Sequence, residues 1–301
     1  MIYDKSGHSL SSVYSKIGSA INSAYDVTGD LVFHDGSSDV DYTSYTISAK
    51  WTPSGVFFST QGLDIYDGKV FWVTGGNGGI DQNCYVWNLS DGSAAISENP
   101  FIVHSGHGNN ICLDYPTMYA STAYSPNKVY VNTLSAVTGG YEATLSKTLF
   151  LTDGSTDLDA SLDSEDKTIL WTLGHTAGSS DHDAPYLISK WDLENMTENQ
   201  DGTFSPAKLQ TVQTAQPTCY YFQGFKVHDG ILWYASGYTG GSYTAYVYGV
   251  NPNTGELLYT IDCGTTEEPE GVAWVADSSS KGGYALYIGF GGMKMRKCVF
   301  T

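Results

Sequence analysis

The sequence predicts an all-β fold, and three observations carry that reading. Gly supplies 34 of 301 residues and Tyr 23, with little Glu, Lys or Ala beside abundant Thr and Ser, so strand and turn formers outweigh helix formers. Short strand-like segments, many of them aromatic, alternate with Gly, Asn, Asp and Ser turns from about residue 45 onward. Two of these segments align position for position: Gln61-Gly62-Leu63-Asp64-Ile65-Tyr66-Asp67-Gly68-Lys69-Val70-Phe71-Trp72 and Gln223-Gly224-Phe225-Lys226-Val227-His228-Asp229-Gly230-Ile231-Leu232-Trp233-Tyr234. Each carries an Asp-Gly pair between two strand-like runs, a strong sign of a β-hairpin.

Residues 1–40 form a short β-repeat leader. Tyr3, Tyr14 and Tyr25 recur with a period of 11, and Gly7, Gly18 and Gly29 keep the same step. The Asp-x-x-Gly pattern fits a type I turn whose final Gly takes positive φ. Strand-like pieces at 12–14 and 31–33 lie between the turns. So short a segment buries no core of its own. It must pack on the main domain or on copies of itself, which makes attachment and oligomerisation, as a homotrimer, its expected role.

Residues 41–301 read as a five-bladed β-propeller. After each hairpin of the aligned pair comes a further strand pair, at 84–89 with a turn at Asp91-Gly92, and at 245–250 with a turn at 253–255. Weaker copies begin at Gly108-Asn109-Asn110-Ile111, Asp157-Leu158-Asp159 and Glu270-Gly271-Val272-Ala273. Small polar entry motifs thus stand near 61, 109, 159, 223 and 270, about 52 residues apart, and four strands at that spacing make a propeller blade. The last copy has three strands. Residues 45–51 are expected to supply its fourth and so close the ring. A sixth blade hidden in 192–218 and a duplicated β-sandwich are the competing architectures.

Composition also bounds the partners. Against 32 acids stand only 14 bases, a net charge of -18. That argues against nucleic acid and against an anionic membrane surface. No apolar run is long enough to insert in a membrane. The N-terminal residues lack the basic and apolar regions of a signal peptide. Cys84, Cys112, Cys219, Cys263 and Cys298 are odd in number and contain no C-x-x-C pair, so reduced strand residues are expected. His104, His107, His175 and His182 show no tight ligand spacing. No cofactor is expected, although Ca²⁺ is possible at the oxygen-rich run 179–183.

In a propeller the innermost strands line the axis, and their starts open on one face. Gln61, Asn109, Asp159, Gln223 and Glu270 are therefore expected to ring a polar mouth, with Asp64 and His107 close to it. Amides and carboxylates there suit hydroxyl-rich or amine-bearing ligands. The competing reading is structural, with the same side chains capping neighbouring blades and Gly62, Gly224 and Gly271 permitting close approach at a crowded axis. Were the mouth catalytic, Asp64, Asp159 and Glu270 would be the carboxylates available for glycoside chemistry.

The leader, residues 1–33, is similar to leaders of tail and baseplate proteins from phages and prophages of Gram-positive bacteria. The propeller resembles the five-bladed platform of siphophage receptor-binding proteins. The Thr60-Gln61-Gly62-Leu63 and Gln223-Gly224-Phe225 motifs also look like the entry motif of plant-type glutaminyl cyclases. Gly106-His107-Gly108-Asn109 and Glu268-Pro269-Glu270-Gly271 are similar to elements of helveticin-like propellers. The resemblance implies a virion tail protein of host recognition that binds a cell-surface glycan, namely a wall glycopolymer, and other tail proteins without catalysis. A cyclase-like transferase or a glycosidase is the alternative it implies.

Overall fold

The computed structural model describes residues 23–25, 31–34, 40–54, 60–75, 79–121, 127–155, 157–176, 185–215, 222–238 and 243–301. In the leader, β1 (Ser23–Tyr25) and β2 (Leu31–His34) pair antiparallel, with Ser23 opposite His34. The other leader repeats, and with them the expected trimer contacts, lie outside the described residues.

After β3 (Tyr45–Trp51) come five units. The first holds β4 (Thr60–Tyr66), β5 (Lys69–Thr74), β6 (Asp81–Asn88) and β7 (Phe101–His104). β8 (Asn110–Asp114), β9 (Thr117–Ser121), β10 (Lys128–Val137) and β11 (Gly140–Phe150) make the second. The third is β12 (Leu158–Leu162), β13 (Ile169–His175), β14 (Tyr186–Glu198) and β15 (Phe204–Gln213). The fourth is β16 (Phe222–His228), β17 (Ile231–Ser236), β18 (Tyr246–Val250) and β19 (Leu257–Asp262). β20 (Pro269–Ala276), β21 (Tyr284–Phe290) and β22 (Lys294–Phe300) form the last, and β3 is its fourth strand. Each unit is an antiparallel meander, and a single parallel bridge, Leu149 to Phe204, joins the outer edges of the second and third.

The innermost strands pack in a closed cycle, β4 on β8, β8 on β12, β12 on β16, β16 on β20 and β20 on β4. This is a five-bladed propeller. The five buried apolar clusters fall one to each junction between neighbouring blades. The core is therefore a ring of sheet-on-sheet contacts around a polar axis.

Local chemistry explains the elements. Asp67-Gly68 and Asp229-Gly230 each have two consecutive positive φ angles, 49 and 67 and then 53 and 67, as a two-residue hairpin turn matching strand twist requires. Gly62 is needed for space rather than φ: a Cβ there would lie 2.6 Å from the Asn110 Cα of the next blade. Cys84, Cys112, Cys263 and Cys298 are free and buried. The stretch 192–218 is no hidden blade. Its residues finish β14 and form β15, the outer strand of the third blade. Outer strands of a propeller face solvent, so β15 shows little of the apolar patterning that marks an inner strand.

Candidate functional site

The five inner strands run in the same sense, so the ring has an entry end and an exit end. Gln61, Asn109, Gln223 and Glu270 stand at the entry end, on or just before β4, β8, β16 and β20. Side-chain bonds cross two blade boundaries there, from Thr60 to Glu270 and from Gln223 to Glu268.

Glu270 is 7 % exposed. Its Oε1 accepts from Thr60 Oγ1 of the first blade at 3.4 Å, and Thr60 Oγ1 accepts from the Gly292 amide at 3.3 Å. Glu270 Oε2 is buried and finds no donor among the described residues. Burial, and then the neighbouring Glu268 carboxylate, push the Glu270 carboxyl well above its ordinary range. Glu268 in turn accepts at Oε1 from Gln223 Nε2 at 2.8 Å, tying the fourth blade to the fifth.

On the other side of the mouth, the Gln61 carbonyl accepts from Trp72 Nε1 at 2.7 Å, which fixes the Gln61 backbone. Its side chain runs beside His107: a Cβ on Gly75 would meet Gln61 Cγ at 2.7 Å and His107 Cε1 at 3.0 Å. Gln61 Oε1 and Asn109 Oδ1 are buried and have no donor among the described residues.

Deeper on the axis, Asn110 donates from Nδ2 to the carbonyls of Ala160 at 2.9 Å and Phe225 at 3.0 Å. One side chain thus links three blades. Since Nδ2 has two carbonyl acceptors, the amide orientation is fixed chemically, and Oδ1 is the atom left without a donor among the described residues. Asp159 is sealed in the same layer at 0 % exposure, accepting from Ser121 Oγ at 3.0 Å and the Gly224 amide at 3.2 Å. It starts an inner strand as expected, yet its role there is that of a brace.

Burial pushes the Asp159 carboxyl up to about 7. The unfolded chain releases this proton near 3.8. Its contribution to stability is therefore complete below that value and is lost as pH rises to about 7, at no more than roughly 1.4 kcal/mol per pH unit. Asp159→Asn keeps an oxygen acceptor without the charge. The variant's melting temperature is expected to fall less than the parent's between pH 5 and pH 8; parallel curves would refute the assignment.

Asp64 lies at the opposite end. It accepts from the Ile65 amide at 2.8 Å and the Leu113 amide at 2.7 Å, and pairs with Lys226 Nζ at 3.2 Å. Lys226 Nζ also donates to the Ile111 carbonyl. The pair floors a cleft of about 440 Å³ at the exit end, with Ser161, His228, Trp274 and Tyr284 in its walls. Burial lowers His228 to about 4, and its ring stacks on Trp274 at 4.4 Å.

Sequence reasoning missed Thr60, Asn110, Lys226 and Glu268. Lys226 had a signal, because the two aligned copies put it in the slot held by Asp64. The run 179–183, the oxygen-rich segment that could have held Ca²⁺ although no cofactor was expected, lies outside the described residues. Among the described residues no three His, Cys, Asp or Glu side chains gather as a metal site would require.

No family model and no curated protein sequence matches the chain. Among solved structures, it is similar to the tail fiber of Staphylococcus aureus phage P68, at 13% identity and a TM-score of 0.48, over 85% of this chain and 52% of that one. A second is an exo-beta-1,3-galactanase from Phanerochaete chrysosporium with galactose, at 14% identity and a TM-score of 0.48, covering 84% of this chain and 63% of that one. A third is the WD40 domain of Toxoplasma gondii coronin, at 15% identity and a TM-score of 0.39, covering 87% of this chain and 62% of that one. The chain spans about half the length of the tail fiber and under two thirds of the other two.

Proposed function

We propose that this propeller is a host-recognition protein of a phage tail that binds a cell-surface glycan, without catalysis, at the entry end of its axis. One observation carries the reading of the site: Gln61 Oε1, Asn109 Oδ1 and Glu270 Oε2 are buried at that end with no donor among the described residues. A buried acceptor without a donor costs about 1–3 kcal/mol, and a ligand bearing hydroxyl or amine donors would offset that cost. The tail assignment draws on the resemblance of the leader, residues 1–33, and so does the expectation of a trimer. Binding without turnover draws on the carboxylates: Asp64 sits at the exit end and Asp159 is sealed, so neither stands with Glu270 across an open cleft as glycoside hydrolysis requires.

The test is binding of the purified chain to a glycan array and to isolated cell walls, beside an assay for released reducing ends. Gln61→Ala and Asn109→Ala are each expected to weaken binding about 3- to 30-fold with the melting temperature unchanged. A drop in melting temperature with unaltered binding would make these side chains blade caps. Released reducing ends would make the protein a glycosidase.

A further inference from the structure

We propose that the mouth takes an uncharged sugar unit, whose neighbouring hydroxyls bond the side chains of Gln61, Asn109 and Glu270 as donors and acceptors at once. This rests on the glycan-binding reading above and names the class of glycan. The backbones that carry these side chains meet at the axis. A Cβ on Gly224 would lie 3.1 Å from the Gly271 Cα and 3.3 Å from the Asn109 carbonyl oxygen, and one on Gly62 would lie 2.6 Å from the Asn110 Cα. Gln61, Asn109, Gln223 and Glu270 each stand one residue before Gly62, Asn110, Gly224 and Gly271, so their side chains start from one small ring.

Both ends of the Gln61 and Asn109 amides are open among the described residues. Either orientation of each amide therefore offers a ligand one donor group and one acceptor. Ser105 Oγ, buried in the loop that leads to Asn109, is open as well. The charged groups nearby are engaged. Glu268 accepts from Gln223, and Lys294 and Arg296 both pair with Glu267. Glu270 differs, since burial and the Glu268 carboxylate act on it and no described cation does. Both favour its protonated form. A protonated carboxyl accepts at one oxygen, here from Thr60, and donates from the other.

The open groups thus run both ways. A hydroxyl matches them, because it donates once and accepts at its lone pairs. An ammonium brings donors alone. It would leave the Gln61 and Asn109 NH2 groups without acceptors and would have to ionise Glu270 against its burial. A carboxylate or phosphate brings acceptors alone and would meet the Glu268 charge. Burying such a charge without an opposite one is costly. Three side chains on three blades also call for more than one hydroxyl, as a pyranose or a sugar alcohol presents.

The experiment is a glycan array probed with the full chain at pH 7, carrying neutral, amino and uronic forms of glucose, galactose and mannose oligomers beside ribitol and its phosphate. Titration calorimetry of the strongest binder follows. That binder is expected to be uncharged, with an affinity that changes less than about twofold between about 50 and about 500 mM salt. Glu270→Leu removes both bonding oxygens and is expected to weaken binding at least about tenfold, whereas Glu270→Gln, uncharged but still donor and acceptor, costs far less. Asn109→Asp keeps the shape, adds a charge and strips the NH2 group, and is expected to weaken binding at least about tenfold. Melting temperatures of all three variants show that each is folded, and Asn109→Asp carries the test should Glu270→Leu melt early. A strongest binder that is an amino sugar, a uronate or a phosphate would overturn the proposal and leave the broader glycan reading standing. So would equal losses in Glu270→Gln and Glu270→Leu, or binding unweakened by Asn109→Asp. No binding to any glycan would remove both readings.

Discussion

Removing residues 1–55 will unfold the ring, whereas removing residues 1–38 will leave it folded. The difference lies in what residues 40–51 do. β3 pairs with β22 from Phe300 opposite Tyr45 to Met295 opposite Trp51, so it is the outer strand of the last blade. Trp51 Nε1 donates to the Leu89 carbonyl at 2.9 Å, which fastens that strand to the first blade as well. Just before it, Tyr42 is 3 % exposed. Its ring lies edge-on to Trp233 at 5.0 Å and to Phe300 at 4.8 Å, and its hydroxyl donates to Asp229 at 3.2 Å. Losing one buried aromatic costs about 3–5 kcal/mol. Losing a whole strand adds several backbone bonds at about 0.5–1.5 kcal/mol each and leaves β22 as an open edge. Against a total stability of about 5–15 kcal/mol, the longer deletion removes most of what holds the ring. Residues 1–38 include none of these contacts. Thermal melting followed by circular dichroism checks the pair. Equal melting temperatures for the two truncations would show that the ring closes without β3.

The same closing strand shows how much was legible in the sequence. The aligned copies, with their Asp-Gly turns, set two blades, and counting strands after Glu270 left a gap that 45–51 fills. What escaped was of two kinds. β9 and β15 were unread because the first is a five-residue strand directly after Pro116 and the second is an outer strand exposed along much of its length. At the mouth, the limit was backbone geometry. The inner strands β4, β16 and β20 all shift register near their start, between Thr60 and Leu63, Phe222 and Phe225, and Pro269 and Gly271. A bulge re-aims the side chains on either side of it, so alternation along the strand no longer says which of two neighbours points inward. Gln61, Gln223 and Glu270 were identifiable as types at equivalent places. That Thr60 bonds Glu270 while Glu268 bonds Gln223 follows only from the bulged path. Asn110 was hidden by its neighbour, since Asn109 and Asn110 are alike in sequence and opposite in use.

The second large effect belongs to the exit end. Asp64→Ala is expected to destabilise the protein by about 3–5 kcal/mol, although Asp64 stands at the far end from the proposed glycan site. Lys226 comes from the fourth blade and meets Asp64 of the first across the axis, and it also bonds the Ile111 carbonyl of the second. Both side chains are largely buried, at 8% and 12% exposure. Removing Asp64 leaves the Lys226 ammonium without its counter-charge, and it also strips the Leu113 and Ile65 amides of their acceptor. An uncompensated charge in such a place costs far more than the pair itself contributes, because forming the pair already required desolvating both ions. The double variant Asp64→Leu with Lys226→Met removes both charges and is expected to recover most of the loss. The two single effects should therefore be strongly non-additive. Urea unfolding of the parent, Asp64→Leu, Lys226→Met and the double variant measures the coupling directly. A cost below about 1 kcal/mol for Asp64→Leu, with additive effects, would mean that the pair behaves as an exposed one and that the axis is held by the Asn110 bonds instead. Since the double variant leaves Gln61, Gln223, Glu268 and Glu270 in place, its glycan binding is expected to equal the parent's. That result would separate the end of the axis that holds the blades together from the end that meets the ligand.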